Sequence, residues 1–178
     1  MTSSGPLVSG ADERDRPDEA VEQVDLDALT ALVANVLASE GIPADAEASL
    51  TLLDPAVIAQ LKVEHLDGDG MPTDVLSFPI DGAEGGIEGG GTWLVGDIVV
   101  CPVVAAEQAP GHAGNLEDEL ALLVIHGALH LVGWDHQDEE SQSVMWDRER
   151  ELMQQFHRKP SRDPWASDSS SSGVGESS

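Results

Sequence analysis

Three histidines within the eleven residues His126-Gly-Ala-Leu-His130-Leu-Val-Gly133-Trp-Asp-His136 restrict what this chain can fold into more than any other segment. Residues four apart on an α-helix lie one above the other on the same face, so His126 and His130 project side by side. Gly133 lets the chain turn back at once and brings His136 to a third position beside them. Three neutral imidazoles with a fourth position left to water are the layout of a catalytic zinc, which lowers the pKa of bound water to about 7. A single histidine here would more simply be a core residue satisfied by hydrogen bonds. Three at this spacing favour one zinc per chain, seated on a helix and the turn after it.

The rest of the chain supplies the frame for that helix. Asn115, with Asp118 three residues on, is the expected N-cap of a strongly apolar helix running to Leu131. Leu29, Leu32, Val33, Val36 and Leu37 recur at helical spacing and are stopped by Gly41 and Pro43. Residues 49–53 alternate as a strand, and 55–65 read as a helix before the turn Asp67-Gly68-Asp69-Gly70. Short strands are expected at 6–9, 74–79 and 96–100, with a charged loop over 11–23 and a glycine-rich loop over 81–91. A short helix is expected at 102–108. The last helix, 139–157, is read with Val144, Met145, Leu152 and Phe156 toward the core. The whole is an α/β fold in one domain over 1–159, with the histidine helix packed across one sheet. From residue 160 a disordered tail is expected, because eight of the last eighteen residues are serine.

Charge and cysteine usage exclude several classes. The 178 residues hold 34 acidic against 8 Lys plus Arg, a formal charge of −26. Between Arg16 and Arg148 the one Lys or Arg is Lys62. Duplex DNA and anionic membranes attract Lys/Arg clusters, so neither is an expected partner, whereas an enzyme gripping RNA at a few points stays allowed. Cys101 is the only cysteine, which precludes an intramolecular disulfide and fits a reducing compartment. MTSSGPLVSG lacks a basic n-region followed by an apolar h-region, and no apolar run approaches the ~20 residues that span a bilayer. A cytoplasmic location is expected.

The histidine spacing equals that of the metzincin peptidases, H-E-x-x-H-x-x-G-x-x-H. Their general base, the glutamate after the first histidine, is replaced here by Gly127, which cannot accept a proton. HGALHLVGWDH instead resembles the signature H-G-x-L-H-L-x-G-[YW]-D-H of the YbeY family, bacterial metal-dependent endoribonucleases. Pro72-Thr-Asp-Val-Leu-Ser-Phe-Pro79 resembles that family's PTDVLSFP, and Gly96-Asp97-Ile98 its GDI. The resemblance runs from about residue 49 to 156.

It implies a small α/β fold of the α+β type, a mixed four-stranded sheet packed by about five helices. It implies zinc on His126, His130 and His136, and single-strand-specific RNA cleavage in maturation of the 16S rRNA 3′ end and in ribosome quality control. Ribosomal RNA and the small ribosomal subunit are the implied partners, with a ribosomal protein or an assembly GTPase as further candidates. One departure stands out. Many members carry L-N-x-x-[YF]-R ahead of the PTD block, where this chain has Leu61-Lys62-Val63-Glu64-His65-Leu66. Lys62 falls at the Asn position and Leu66 at that of the catalytic Arg. A phosphoryl transition state calls for a cation besides the metal, and Lys62, Arg148 and Arg150 are the candidates.

Other residues carry weaker expectations. Asp135 either orients an imidazole from behind or is a simple turn carboxylate. Glu119, seven residues before His126 on the same helix face, is a candidate for the same orienting role. Ser77 and Phe78 are expected along the groove beside the metal, Phe78 equally as core. Trp134 is read as packing beside the ligand turn and Trp93 as a loop residue capping the core. His65, His112 and His157 are expected at the surface, and Cys101 buried and inert. The acidic runs 117–119 and 138–140 are read as helix N-terminal carboxylates favoured by the macrodipole. Two other functions stay open: a ribosome-assembly binding factor with a mainly structural zinc, and a metzincin-like metallopeptidase.

Overall fold

Alternation in one strand sets the architecture. In β2 (Ala46–Leu52) Ala46, Ala48, Leu50 and Leu52 are buried while Glu47 is exposed, so one face of the strand belongs to the core. β2 lies in a four-stranded sheet with β1 (Leu7–Asp12), β3 (Val75–Pro79) and β4 (Trp93–Val100), in the order β1-β2-β4-β3. β1, β2 and β4 run parallel; β3 pairs antiparallel with β4. The register of β2 against β4 slips between Glu47 and Ala48, where Val95 is the extra residue of a bulge. This computed structural model describes residues 5–15, 21, 23–66, 68–85, 91–135 and 137–165.

Five α-helices accompany the strands among the described residues: α1 (Leu26–Ser39), α2 (Pro55–Leu66), α3 (Pro102–Gln108), α4 (Leu116–Leu131) and α5 (Glu139–Phe156). The architecture is the α/β fold with a mixed sheet and five helices expected from the sequence. Leu29, Leu32, Val33, Val36 and Leu37 of α1 pack with Leu50 and Leu52 of the sheet, with α4, and with Met145, Leu152 and Met153 of α5. On the opposite sheet face Val99, Cys101 and Leu53 join Ile58 of α2 in a smaller cluster. Parallel strands need cover on both faces, and the two clusters provide it. No helix among the described residues is long and apolar enough to cross a membrane.

Several boundaries differ from the sequence reading. β1 extends to Asp12, taking the start of the stretch read as a charged loop, and Arg14 behind it is buried against Asp12 through a 2.8 Å bond from Nε. Residues 16–20 and 22 of that stretch lie outside the described residues. Val144 is 52% exposed and not in the core. The inward stripe of α5 is Met145, Glu149, Leu152 and Met153, whose spacings of four, seven and eight leave Val144 one step off the face. Within the stretch read as the tail, Pro160, Pro164 and Trp165 are buried, and Trp165 joins the main core. Residues 166–178 lie outside the described residues.

Asp118 holds that C-terminal stretch in place. It is a helix N-terminal carboxylate in the first turn of α4, as read from the sequence, and is fully buried there. Its side chain accepts hydrogen bonds from His157 Nε2 (2.8 Å), Arg158 Nε (2.8 Å) and the Ser161 backbone N–H (3.0 Å). His157, expected at the surface, is thereby drawn half inside. Burial pushes the Asp118 carboxyl up, but the bonds from His157 and Ser161 and the charge of Arg158 outweigh it and hold the group below the ordinary aspartate value. A lowered carboxylate pKa stabilises the fold above the unfolded value of about 3.9, and that stability is lost as pH falls through the folded value. Asp118→Asn is therefore expected to cost about 1–3 kcal/mol at neutral pH. In urea unfolding at a series of pH values, the gap to the unaltered protein should close below about pH 4.

Candidate metal centre

The histidine helix is built as the sequence dictates. Asn115 accepts from Asp118 N–H at 2.8 Å and caps α4. At the other end Gly133, with φ +104°, follows the C-cap Val132. Its N–H bonds to the His130 carbonyl (3.1 Å) and the Trp134 N–H to the Leu129 carbonyl (3.0 Å), the paired bonds of a Schellman turn. That turn swings the Trp134 carbonyl back over the helix end, where it accepts a 2.8 Å bond from His130 Nδ1.

His126 is oriented from another element. Its Nδ1 donates to Glu149 Oε2 of α5 at 2.6 Å, and Glu149 is itself held by a 3.1 Å bond from Trp165 Nε1 to Oε1. A carbonyl or carboxylate oxygen can only accept, so both Nδ1 atoms carry the ring protons in the neutral state. Both Nε2 atoms then present lone pairs, and they face each other 3.0 Å apart. Two lone pairs at that distance repel unless a cation, metal or proton, lies between them. This donor set fits a metal held by His126 and His130, with a carboxylate and a carbonyl behind the ligands. His136, the third histidine of the motif, lies outside the described residues, and among the described residues no three His, Cys, Asp or Glu side chains are gathered for a metal.

The helix sits tightly on the sheet at this point. A Cβ on Gly127 would stand 3.0 Å from Ile98 Cγ2 and 3.1 Å from Ser77 Oγ. Ser77 Oγ donates to the Gly127 carbonyl at 3.0 Å, tying β3 to α4. Asp74, Val75, Leu76, Ser77 and Pro79 line a cleft with His126 and His130. A second cleft of ≈ 200 Å³ shares Asp74, Val75 and His126 with it and is lined further by His112, Trp146, Glu149 and Trp165.

Other candidates fall in different places. Glu119 is fully buried, but seven residues along a helix are a rise of about 10 Å, too far to reach His126. It serves His112 instead, accepting from Nδ1 at 2.9 Å, from Gln108 Nε2 at 2.7 Å and from the Ala113 N–H at 3.1 Å. Asp135 is exposed and lines a separate shallow groove with Trp134 and Ser141. Lys62 pairs with Asp69 at 3.3 Å, and Leu66 is exposed; neither lines the histidine clefts. Arg148 is bound to Glu40 and Glu151, and Arg150 to Asp147. Phe78 packs with the smaller core cluster, edge-on to the exposed His65 at 5.6 Å between ring centroids. Trp93 Nε1 donates to the Gly82 carbonyl at 2.8 Å, and Trp134 Nε1 to Glu40 at 2.8 Å. Cys101 is buried, and burial pushes its thiol pKa up. Glu149 and Trp165 were missed from sequence. The available signal was a carboxylate in register with Met145, Leu152 and Met153 on an apolar stripe.

His112, expected at the surface, pairs with Glu119 from the edge of the second cleft. The Glu119 hydrogen bond holds the imidazole above the ordinary histidine value; burial opposes it, and the charges of Glu119, Asp74 and Glu149 add to it. Burial also pushes Glu119 up, but the bonds from His112 and Gln108 hold it below the ordinary glutamate value.

The family model described as Endoribonuclease YbeY matches residues 13–157 of this chain. The chain is 38% identical over 154 residues to Endoribonuclease YbeY of Salinispora tropica, covering 82% of this chain and 96% of that protein. It is 39% identical over 138 residues to the Clavibacter michiganensis protein of the same description, covering 76% and 90%. Against the Mycolicibacterium gilvum protein it is 44% identical over 115 residues, covering 62% and 64%.

The His112–Glu119 pair gives a direct check on the geometry. An NMR titration is expected to place His112 above about 6.5, and Glu119→Gln to bring it down toward that value. A raised histidine pKa stabilises the fold fully below the unfolded value, and this contribution is lost as pH rises through the folded one. An unchanged His112 titration in the variant would contradict the pairing.

Proposed function

The chain belongs to the endoribonuclease YbeY family, and on that premise we propose that it is a zinc-dependent, single-strand-specific endoribonuclease acting in small-subunit rRNA maturation. Cleavage of RNA phosphodiester bonds is the reaction class the relatives' description supports. Processing of the 16S 3′ end and ribosome quality control, in the cytoplasm and with the small subunit as partner, are the finer reading. The observation that carries the metal part is the facing pair of imidazole Nε2 atoms with both Nδ1 protons already committed.

In this reading His126 and His130 hold the ion, with His136 as the third ligand. Zinc bound there would polarise a phosphate oxygen or activate water for attack on phosphorus. Glu149 accepts a short hydrogen bond from His126 Nδ1–H, which fixes the tautomer and makes the opposite nitrogen a stronger electron-pair donor. The Trp134 carbonyl does the same for His130 without adding a charge. Asp74, Val75 and Ser77 form the wall along which a strand would lie. Gly127 leaves no carboxylate beside the first ligand, which speaks against peptide hydrolysis by the metzincin route.

The test is metal content and ribonuclease activity on one preparation, beside a His126→Ala variant and a chelated sample. About one zinc per chain is expected, with rRNA cleavage lost in both controls. Zinc bound without cleavage at any salt would overturn the enzymatic reading and leave the ribosome-assembly factor. Glu149→Ala is expected to weaken zinc binding about 10–100-fold in competition with a chromophoric chelator. Unaltered affinity would remove Glu149 from the centre.

A further inference from the structure

A cleft that receives a polyanion must set positive charge against it, and this one is lined by carboxylates. Asp74 borders both histidine clefts and Glu149 the second. Among the described residues that line these clefts there is no Lys or Arg. The arginines of α5 are engaged with Glu40, Glu151 and Asp147, and Lys62 with Asp69. Apart from the facing pair His126 and His130, the one side chain among the described lining residues able to carry positive charge is His112.

His112 is also held as a binding group would be. Its side chain is 39% exposed, while the carboxylate behind it, Glu119, is fully buried. Glu119 is fixed in turn by Gln108 and by the Ala113 N–H, so the imidazole cannot swing without leaving a buried carboxylate short of a donor. With Nδ1 committed to Glu119, Nε2 is the nitrogen left for a ligand. Gln108 bridges from Glu119 to Asp74 at 2.6 Å, linking this support to the wall of the metal cleft.

We propose that His112, positioned by Glu119, is a substrate-binding residue that donates from Nε2 to a backbone phosphate of the RNA strand in the cleft beside His126. This rests on the endoribonuclease reading and supplies the cation that Leu66 denies the chain. The groups facing His112 are Glu119 of α4, Asp74 ahead of β3 and Glu149 of α5, all acidic, and together they keep the imidazole protonated further up the pH scale than an isolated histidine.

The probe is a fluorescein-labelled single-stranded oligoribonucleotide, with its affinity read by anisotropy across pH and its cleavage measured in parallel. His112→Gln is expected to weaken binding and raise KM about tenfold, with kcat and zinc content little changed. The unaltered protein should lose affinity as pH rises through the His112 titration, and the His112→Gln protein should show no such step. His112→Arg should restore the affinity and keep it level with pH. Equal binding and the same pH profile in His112→Gln would overturn the proposal while leaving the nuclease reading standing, as would failure of the unaltered protein to bind the probe if it still cleaves rRNA. His112-dependent binding without cleavage by any of the proteins would uphold the phosphate contact and sink the nuclease reading.

Discussion

A sixteen-residue helix with twelve buried residues has to be packed on every side, and α4 is that helix here. The sheet lies against one side and α1 and α5 against others, so the position of each is fixed relative to α4. The four residues not fully buried are Leu116 and Glu117 at its start and His126 and His130 near its end. A helix so enclosed has no freedom to roll, and the two imidazoles are therefore aimed by the whole core and not by local contacts alone. Even the polar groups at its N-terminal end, Asp118 and Glu119, are enclosed, and each is matched by several donors.

The site shows how hydrogen bonds from behind define a donor set. One imidazole is backed by a carboxylate from a separate helix and the other by a carbonyl from the turn that ends its own helix. The first partner brings negative charge and the second does not, so the two imidazoles are backed unequally. Glu149 depends on Trp165, which lies beyond the last helix. The segment that reads as the start of a disordered tail is thus in contact with the residue that orients a candidate ligand.

Local features of the sequence were legible because their physics is local. The Asn115 cap, the i, i+4 histidine pair and the stop at Gly133 all act within one helix and its two ends. Long-range pairings were not. Glu149 sits in the run Asp147-Arg-Glu-Arg-Glu, which resembles a solvated helix face; its register with Met145, Leu152 and Met153 points it inward, but its partner, His126, lies 23 residues earlier and no local pattern names it. Val144 and Met145 are adjacent and both apolar, so periodicity alone did not choose between them; packing chose Met145. Glu119 lay on the right face at the wrong height, and the histidine that meets it, His112, comes from outside the helix and from no recognisable pattern.

Gly127 separates this protein from the metzincin peptidases by packing as well as by the missing carboxylate. A Cβ there would stand 3.0 Å from Ile98 Cγ2 and 3.1 Å from Ser77 Oγ, so even a methyl group would ask these side chains to give a little. A larger side chain at this position would press on the same two side chains of the sheet. The two kinds of hydrolase that share a histidine spacing are thus neighbours in motif and distant in packing. The glycine thus acts as a spacer: it sets how closely the helix carrying His126 and His130 seats on β3 and β4.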